Sequence, residues 1–342
     1  MDALRGFVTL DYRTTDRVAV LNACVASPAG SRWPHQPDVM NPMPDPARII
    51  GAREDRMTEF RLTQISDTHL APRLTKLIQN FDAVADHIDT TRPDLVVNTG
   101  DVGFDGPNAP DDLDFARSLH DALPVPCRYL PGNHDIGDNP TQVGLAPGEP
   151  VSEKSRQAFM SVFGDDRWRF DAAGWCFIGL NSLVMNSGLV CETEQFEWLA
   201  GEFASSAGKP VALFLHKPVF LNAPDDPELE ATYFRYVPMP ARRRLVEMLR
   251  TADVRLAACG HVHQRRDFSF GHTRYIWSPS ASFIVPDSRQ ERIGIKEVGL
   301  VEYCFRPDSF EVRHIRAAGQ IDVDLDELLV KPHAPEPASA AS

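Results

Sequence analysis

Five short polar clusters stand where apolar runs of the chain end. They are "SDTH" with Asp67 and His69, "TGD" with Asp101, "GNHD" with Asn133, His134 and Asp135, "HKP" with His216, and "GHVH" with His261 and His263. Together they offer carboxylate, imidazole and amide groups and no thiolate. That donor set suits divalent Mn, Fe, Zn or Co and does not choose among them. Asp67 and His69 are two residues apart, as are His261 and His263. On an extended strand or its continuation each pair would face one side. A lone Asp at a strand end is ordinarily a turn residue; the set as a whole is what points to metal chemistry.

For the clusters to meet, the runs before them must be strands that end together. "EFRLTQIS", "DLVVNTGD", "CRYLPGNHD", "WCFIGLNS", "PVALFLHKP" and "VRLAACGHVH" all read as strands. Leu74, Leu77, Ile78, Phe81, Val84, Ala85 and Ile88 recur at three- and four-residue spacing and predict an amphipathic helix. Ser152 is placed to cap a helix carrying Ala158, Phe159 and Phe163. "TEQFEWLAGEFA" predicts a helix opened by Thr193, and "PARRRLVEMLRTA" another. "TRYIWSPSASF", "GLVEYCF" and "SFEVRHI" read as antiparallel strands. The order predicts an α/β protein, mostly parallel in its first half and more antiparallel in its second. Ligands of such sheets bind beyond the carboxyl ends of the strands, where the polar clusters lie.

The composition sets limits. The chain has 342 residues, 43% of them hydrophobic, enough for a sizeable core. Its formal net charge is −13, which argues against a nucleic acid polymer as partner, since surfaces that track phosphates are basic. A small phosphate ester stays compatible if metal supplies the positive charge. No run approaches the roughly 18 uncharged apolar residues of a membrane span, so no membrane partner is expected. The N-terminus is broken by Asp and Arg where a signal peptide would be apolar. Six cysteines form no CxxC pair and mostly sit in apolar runs, which suits reduced thiols and a cytoplasmic address. Residues 1–56 are Pro-rich and without period and read as a disordered or loosely attached leader, with translation expected to begin at Met57. A catalytic domain is expected over 57–318, with a cap-like insert at 222–240, followed by a tail at 319–342. A homo-oligomer is compatible with this sequence.

The ordered series "DTH", "GD", "GNHD", "HKP" and "GHVH", running from Ile65 to about Ser282, resembles the calcineurin-like metallophosphoesterases. "LPGNHD" with "CGHVHQ" looks most similar to bacterial class III cyclic-nucleotide phosphodiesterases and their glycerophosphodiesterase relatives. The resemblance implies a four-layer α/β/β/α sandwich of two mixed sheets flanked by helices, and a centre of two divalent metal ions. Asp67, His69 and His263 would hold one ion, Asn133, His216 and His261 the other, with Asp101 bridging them. A bridging hydroxide would attack phosphorus in line. His134 would contact the phosphoryl group or protonate the leaving alkoxide, with Asp135 holding its imidazole in one tautomer. In this family a segment like the insert overhangs the metals, which makes Tyr233, Phe234, Arg235 and Tyr236 candidates for the substrate wall. Trp277 and Phe283 are weaker candidates for the same wall, and Asp105 and Asn108 for the opposite rim. Lys217, after the ligand in "HKP", stands where relatives often have His or Asn, and is expected to be solvated. The implied activity is hydrolysis of a small phosphodiester; a phosphomonoesterase with the same metals and a non-catalytic scaffold are the alternatives.

Overall fold

The computed structural model describes residues 58–140, 148–206, 208–229 and 233–329. Met57, the leader before it and the Pro and Ala tail from 331 lie outside the described residues. Among the described residues, two sheets pack face to face. The first has β1 (Phe60–Ile65), β2 (Leu95–Asn98) and β3 (Cys127–Tyr129) running parallel. It continues on the other side of β1 through β10 (Leu300–Arg306) and β11 (Ser309–Ile315), each antiparallel to its neighbour. The second runs β4 (Trp168–Ala172), β5 (Trp175–Leu180), β6 (Val211–Leu215), β7 (Val254–Cys259), β9 (Thr273–Trp277), β8 (Arg266–Phe270). Its inner four strands are parallel and its two edges antiparallel.

The layers follow from the period of two along buried strands. In β2, Val96 packs among the helices while Leu95 and Val97 face the other sheet. In β6, Val211, Leu213 and Leu215 face helices, and Ala212 and Phe214 face the first sheet. Helices α1 (Thr75–Thr91), α2 (Asp111–Asp121) and α3 (Glu153–Phe163) cover the first sheet. Helices α4 (Val190–Ser205) and α5 (Met239–Leu249) cover the second. The result is the four-layer α/β/β/α sandwich. Between the sheets, Phe60, Phe177, Phe214 and Phe305 are fully buried, each such ring contributing about 1.5–3 kcal/mol by leaving water. Polar ties cross that core as well: Gln64 of β1 donates to the Cys259 carbonyl of β7 at 3.1 Å and accepts from the Tyr303 hydroxyl at 2.7 Å, and the Trp168 and Trp175 indoles donate to the Tyr129 and Arg306 carbonyls of the first sheet.

Several expectations change. β9 lies parallel to β7, because β8 and β9 form a hairpin that turns at Gly271 and leaves β8 outside as the edge strand. Parallel strands therefore fill the interior of the second sheet, whereas the first has the antiparallel β10 inside it. The helix expected from Thr193 begins at Val190: the Glu192 carboxylate accepts the Asn186 and Gly188 N–H groups and closes the preceding turn. Helix α2, absent from the sequence reading, starts with Asp111, Asp112 and Asp114 at the favourable end of its dipole. Ser152 caps α3 as expected, accepting the Ser155 N–H. The fold also continues past 318. Val323 is buried against Leu77 and Phe283, and the Asn80 side chain brackets Ile321, so 319–329 is packed structure up to the short α6 (Leu325–Leu329).

Candidate metal centre

The ligand-bearing pairs are not extensions of strands. β1 stops at Ile65 and β7 at Cys259, and the residues beyond turn sharply. Of the eight non-glycine residues with positive φ among the described residues, five are Asp67, His69, Asp101, His261 and His263. Each such conformation costs of order 1–3 kcal/mol and persists only where the surroundings impose it. Here the backbone imposes it: the N–H groups of Asp67 and His69 donate to the carbonyls of Gly100 and Asp101, at 2.9 Å each. Two tight loops are thereby stitched together, and their side chains aim at one point.

That point has two halves sharing one carboxylate. Asp67, His69, Asp101 and His263 form one group of donor atoms all within 4.8 Å of one another, and Asp101, His216 and His261 form a second. Asn133 joins the second group, its Oδ1 lying 3.2 Å from His216 Nε2. It is the first residue of the helical turn Asn133–Ile136, which brings the His134 N–H within 2.8 Å of Asp101 Oδ1. Gly132 permits this approach, since a Cβ there would lie 2.1 Å from Asp101 Oδ1.

The protons test whether this arrangement fits a metal. His216 Nδ1 lies 2.9 Å from the Thr99 carbonyl, His263 Nδ1 3.2 Å from that of Phe283, and His261 Nε2 3.3 Å from that of Phe234. A carbonyl only accepts, so each of these nitrogens carries the ring proton and the opposite nitrogen presents a lone pair inward. Those lone pairs face other acceptors. His216 Nε2 meets Asp101 Oδ2 at 3.4 Å and His261 Nδ1 at 3.1 Å, and His263 Nε2 meets His69 Nε2 at 3.3 Å. Nitrogens and a carboxylate crowded this closely are satisfied by a cation between them, a proton or a metal ion. The electrostatics agree: burial works against it, yet the Asp101 carboxylate raises His216 to about 9. A proton there does in part what a metal ion would do. Burial also opposes ionisation of Asp67 and Asp101, but His263 and His216 respectively hold them well below the usual carboxylate range. His69 and His261 are driven well below the ordinary imidazole value, by burial first and then by His134 and His216. Two anions and neutral imidazoles are the protonation state in which these residues could hold divalent ions.

The profile of the calcineurin-like phosphoesterases matches residues 60–265. The chain belongs to that family. It is 28% identical over 184 residues to the serine/threonine-protein phosphatase CPPED1 of Danio rerio, across 51% of this chain and 55% of that one. It therefore spans little more than half the length of that relative. It is 26% identical over 236 residues to the 3',5'-cyclic-nucleotide phosphodiesterase alr5338 of Nostoc sp., across 65% of this chain and 78% of that one. The crystal structure of a dimetal phosphatase from Danio rerio shares the fold, with a TM-score of 0.52 and 14% identity, over 77% of this chain and 97% of that one. The chain shares with that structure a fold of two mixed sheets flanked by helices.

Other expected site residues are placed differently. Asp135 does not face the His134 ring. Its carboxylate accepts the N–H groups of Gly132 (2.8 Å), Val102 (3.1 Å) and Gly103 (2.8 Å), while His134 Nδ1 lies 2.8 Å from the Phe104 carbonyl. The four-residue turn points the two neighbouring side chains apart, and a backbone carbonyl takes the orienting role. Burial and then the charge of Asp101 push Asp135 up to about 7. Three donated N–H groups nevertheless leave the carboxylate as the form this geometry accommodates. Asp135→Asn would turn an NH₂ against at least one of them. The expected result is a loss of about 1–3 kcal/mol, seen as a lower melting temperature in both metal-loaded and metal-stripped protein; an unchanged melt would contradict the anchoring role.

Lys217 is fully buried, not solvated: its ammonium pairs with Asp138 and donates to Asn139 Oδ1 at 2.7 Å. Arg235 is 6% exposed and pairs with Glu291 at 2.6 Å, and Tyr236 and Trp277 are buried in the core beneath α4 and α5. These three pack the loop and the core, where long side chains find apolar surroundings. Phe234 reaches the centre through its backbone carbonyl, at His261. The side chain of Tyr233 lies outside the described residues. Asn108 is exposed and donates to Asp105 at 2.9 Å, pinning its own turn. Phe283 packs on the rings of His69 and His263, at centroid distances of 4.9 and 4.5 Å.

The sequence reading missed the groups that tether the ligands. The carbonyls of Thr99, Phe104, Phe234 and Phe283 leave no trace in sequence, because any residue supplies one. Ser280 and Ser282, whose hydroxyls donate to the Asp67 carbonyl at 3.0 and 2.6 Å, stand in the serine-rich "SPSAS", which could have signalled them.

Proposed function

We propose that this phosphoesterase hydrolyses small phosphodiesters at a centre of two divalent ions. Asp67, His69 and His263 would hold one ion and Asn133, His216 and His261 the other, with Asp101 common to both. The observation that carries the reading is the set of imidazole nitrogens turned inward on His216, His261 and His263, the opposite ring nitrogen of each lying against a backbone carbonyl. Such ions, when bound, supply Lewis acidity toward phosphoryl oxygens and a hydroxide nucleophile at neutral pH, suited to in-line displacement. The chain's own residues do the rest. His134 keeps its Nδ1 proton on the Phe104 carbonyl, leaving Nε2 to meet the ester. When protonated there, it would donate to a phosphoryl oxygen or to the leaving alkoxide. Its ring stands edge-on to that of His69, at 4.6 Å between centroids.

The preference for a diester rests on the likeness to the Nostoc phosphodiesterase and on retention of His134 beside Asn133. The net charge of −13 argues for small esters over a polymer. A cytoplasmic address is part of the proposal; the five described cysteines, all free, suit a reducing compartment. Among the described residues no helix is long and apolar enough to cross a membrane. A phosphomonoesterase is the second reading, favoured by the likeness to CPPED1. Protein loaded with Mn²⁺, Fe²⁺, Zn²⁺ or Co²⁺ should turn over bis(4-nitrophenyl) phosphate at higher kcat/KM than 4-nitrophenyl phosphate. The reverse order would favour the monoesterase, and no turnover of either with any metal would leave a scaffold.

A further inference from the structure

The proposed second ion has its ligands on two different sheets. Asn133 follows β3 of the first sheet, whereas His216 and His261 follow β6 and β7 of the second. Asn133 and His216 stand 83 residues apart in the chain, yet their donor atoms are 3.2 Å apart. Something other than chain connectivity must set that gap.

Lys217, next to His216, provides a cross-link. Its ammonium reaches Asp138 and Asn139, just past the helical turn that begins with Asn133. That turn is closed by the Gly137 N–H on the Asn133 carbonyl at 2.9 Å, so Asp138 is coupled to the ligand through one short ring. A third segment joins in. The Lys217 N–H donates to Ser182 Oγ at 3.0 Å, and Asn139 Nδ2 donates to the carbonyls of Ser182 and Met185 at 3.0 and 2.9 Å. Lys217 is 0% exposed and Asp138 5%.

A pair of charges so deeply buried is weak evidence of stabilisation, because desolvation offsets much of the attraction. What it does supply is a fixed separation, since neither charge can leave the other. Asp67 of the first half is held differently: it accepts the N–H of His261, from the loop that also carries His263, at 3.0 Å, and Ser280 and Ser282 hold its carbonyl. We propose that the Lys217–Asp138 ion pair is a positioning element for the second metal site, clamping the Asn133 turn to the His216 loop across the two sheets. This rests on the reading of Asn133, His216 and His261 as ligands of that ion.

The test is a titration of metal-stripped protein with Mn²⁺, counting equivalents and affinities by calorimetry and elemental analysis. Lys217→Met alone would strand the Asp138 charge, so the variant is Lys217→Met with Asp138→Asn, which neutralises both partners together. Lys217→Gln with Asp138→Asn, which also neutralises both partners but keeps polar groups at both positions, is read the same way should the first double variant not fold. The expected result is one equivalent bound as in the unmodified protein and a second weakened about 10–100-fold, with activity restored by raising Mn²⁺. Two equivalents at unmodified affinity would overturn the proposal. So would equal weakening of both, the signature of a merely structural pair. If the ligand reading itself is wrong, the unmodified protein will take up fewer than two equivalents, which distinguishes the two failures.

Discussion

Asp101→Asn is expected to lower turnover of bis(4-nitrophenyl) phosphate by about a thousandfold or more and to deplete metal from both sites at once. The size follows from losing several kcal/mol of charge stabilisation at a metal centre, each 1.36 kcal/mol being a factor of ten. Asp101 Oδ2 lies 3.6 Å from His69 Nε2 and 3.4 Å from His216 Nε2, and it is the one carboxylate belonging to both donor groups. Its other oxygen is held by the His134 N–H. An amide of the same shape removes the negative charge and can turn an NH₂ toward nitrogens that already present lone pairs. The fold should persist, since the substitution is isosteric and removes a buried charge. Metal content by elemental analysis, read beside kcat, decides the matter: loss of a single equivalent would show that Asp101 serves only one ion.

His134→Ala should behave in the opposite way, with kcat falling about 10²–10⁴-fold and both metal equivalents retained. His134 is half-buried and belongs to neither group of donors within 4.8 Å. Its Nδ1 is committed to the Phe104 carbonyl, so only Nε2 is free for an ester. Asn133→Ala is the companion measurement, since it should lose the second ion and with it activity. If His134→Ala also lost metal, the division of labour between these adjacent residues would be wrong.

The expected ligand set could be read from sequence because each cluster ends an apolar run that any α/β sheet must bury. "DLVV" and "VALFL" are continuous because both faces of β2 and β6 are covered, one by helices and one by the other sheet. Helix α1 was legible for a similar reason, with Leu77, Phe81, Val84, Ala85 and Ile88 forming its buried face. The hairpin that makes β9 parallel to β7 was not legible, because residue pattern reports which face is buried and not which neighbour a strand takes.

Within the site the same boundary holds. The types of Asp67, His69, Asp101, Asn133, His216, His261 and His263, and their order, were determined by the sequence alone, because donor chemistry belongs to side chains. The left-handed backbone of five of them, the carbonyls set against the rings of His216, His261 and His263, the turn of Asp135 away from His134 and the burial of Lys217 were decided only by tertiary structure. Those features depend on backbone groups and on segments distant in the chain, and backbone groups are the same whatever residue carries them.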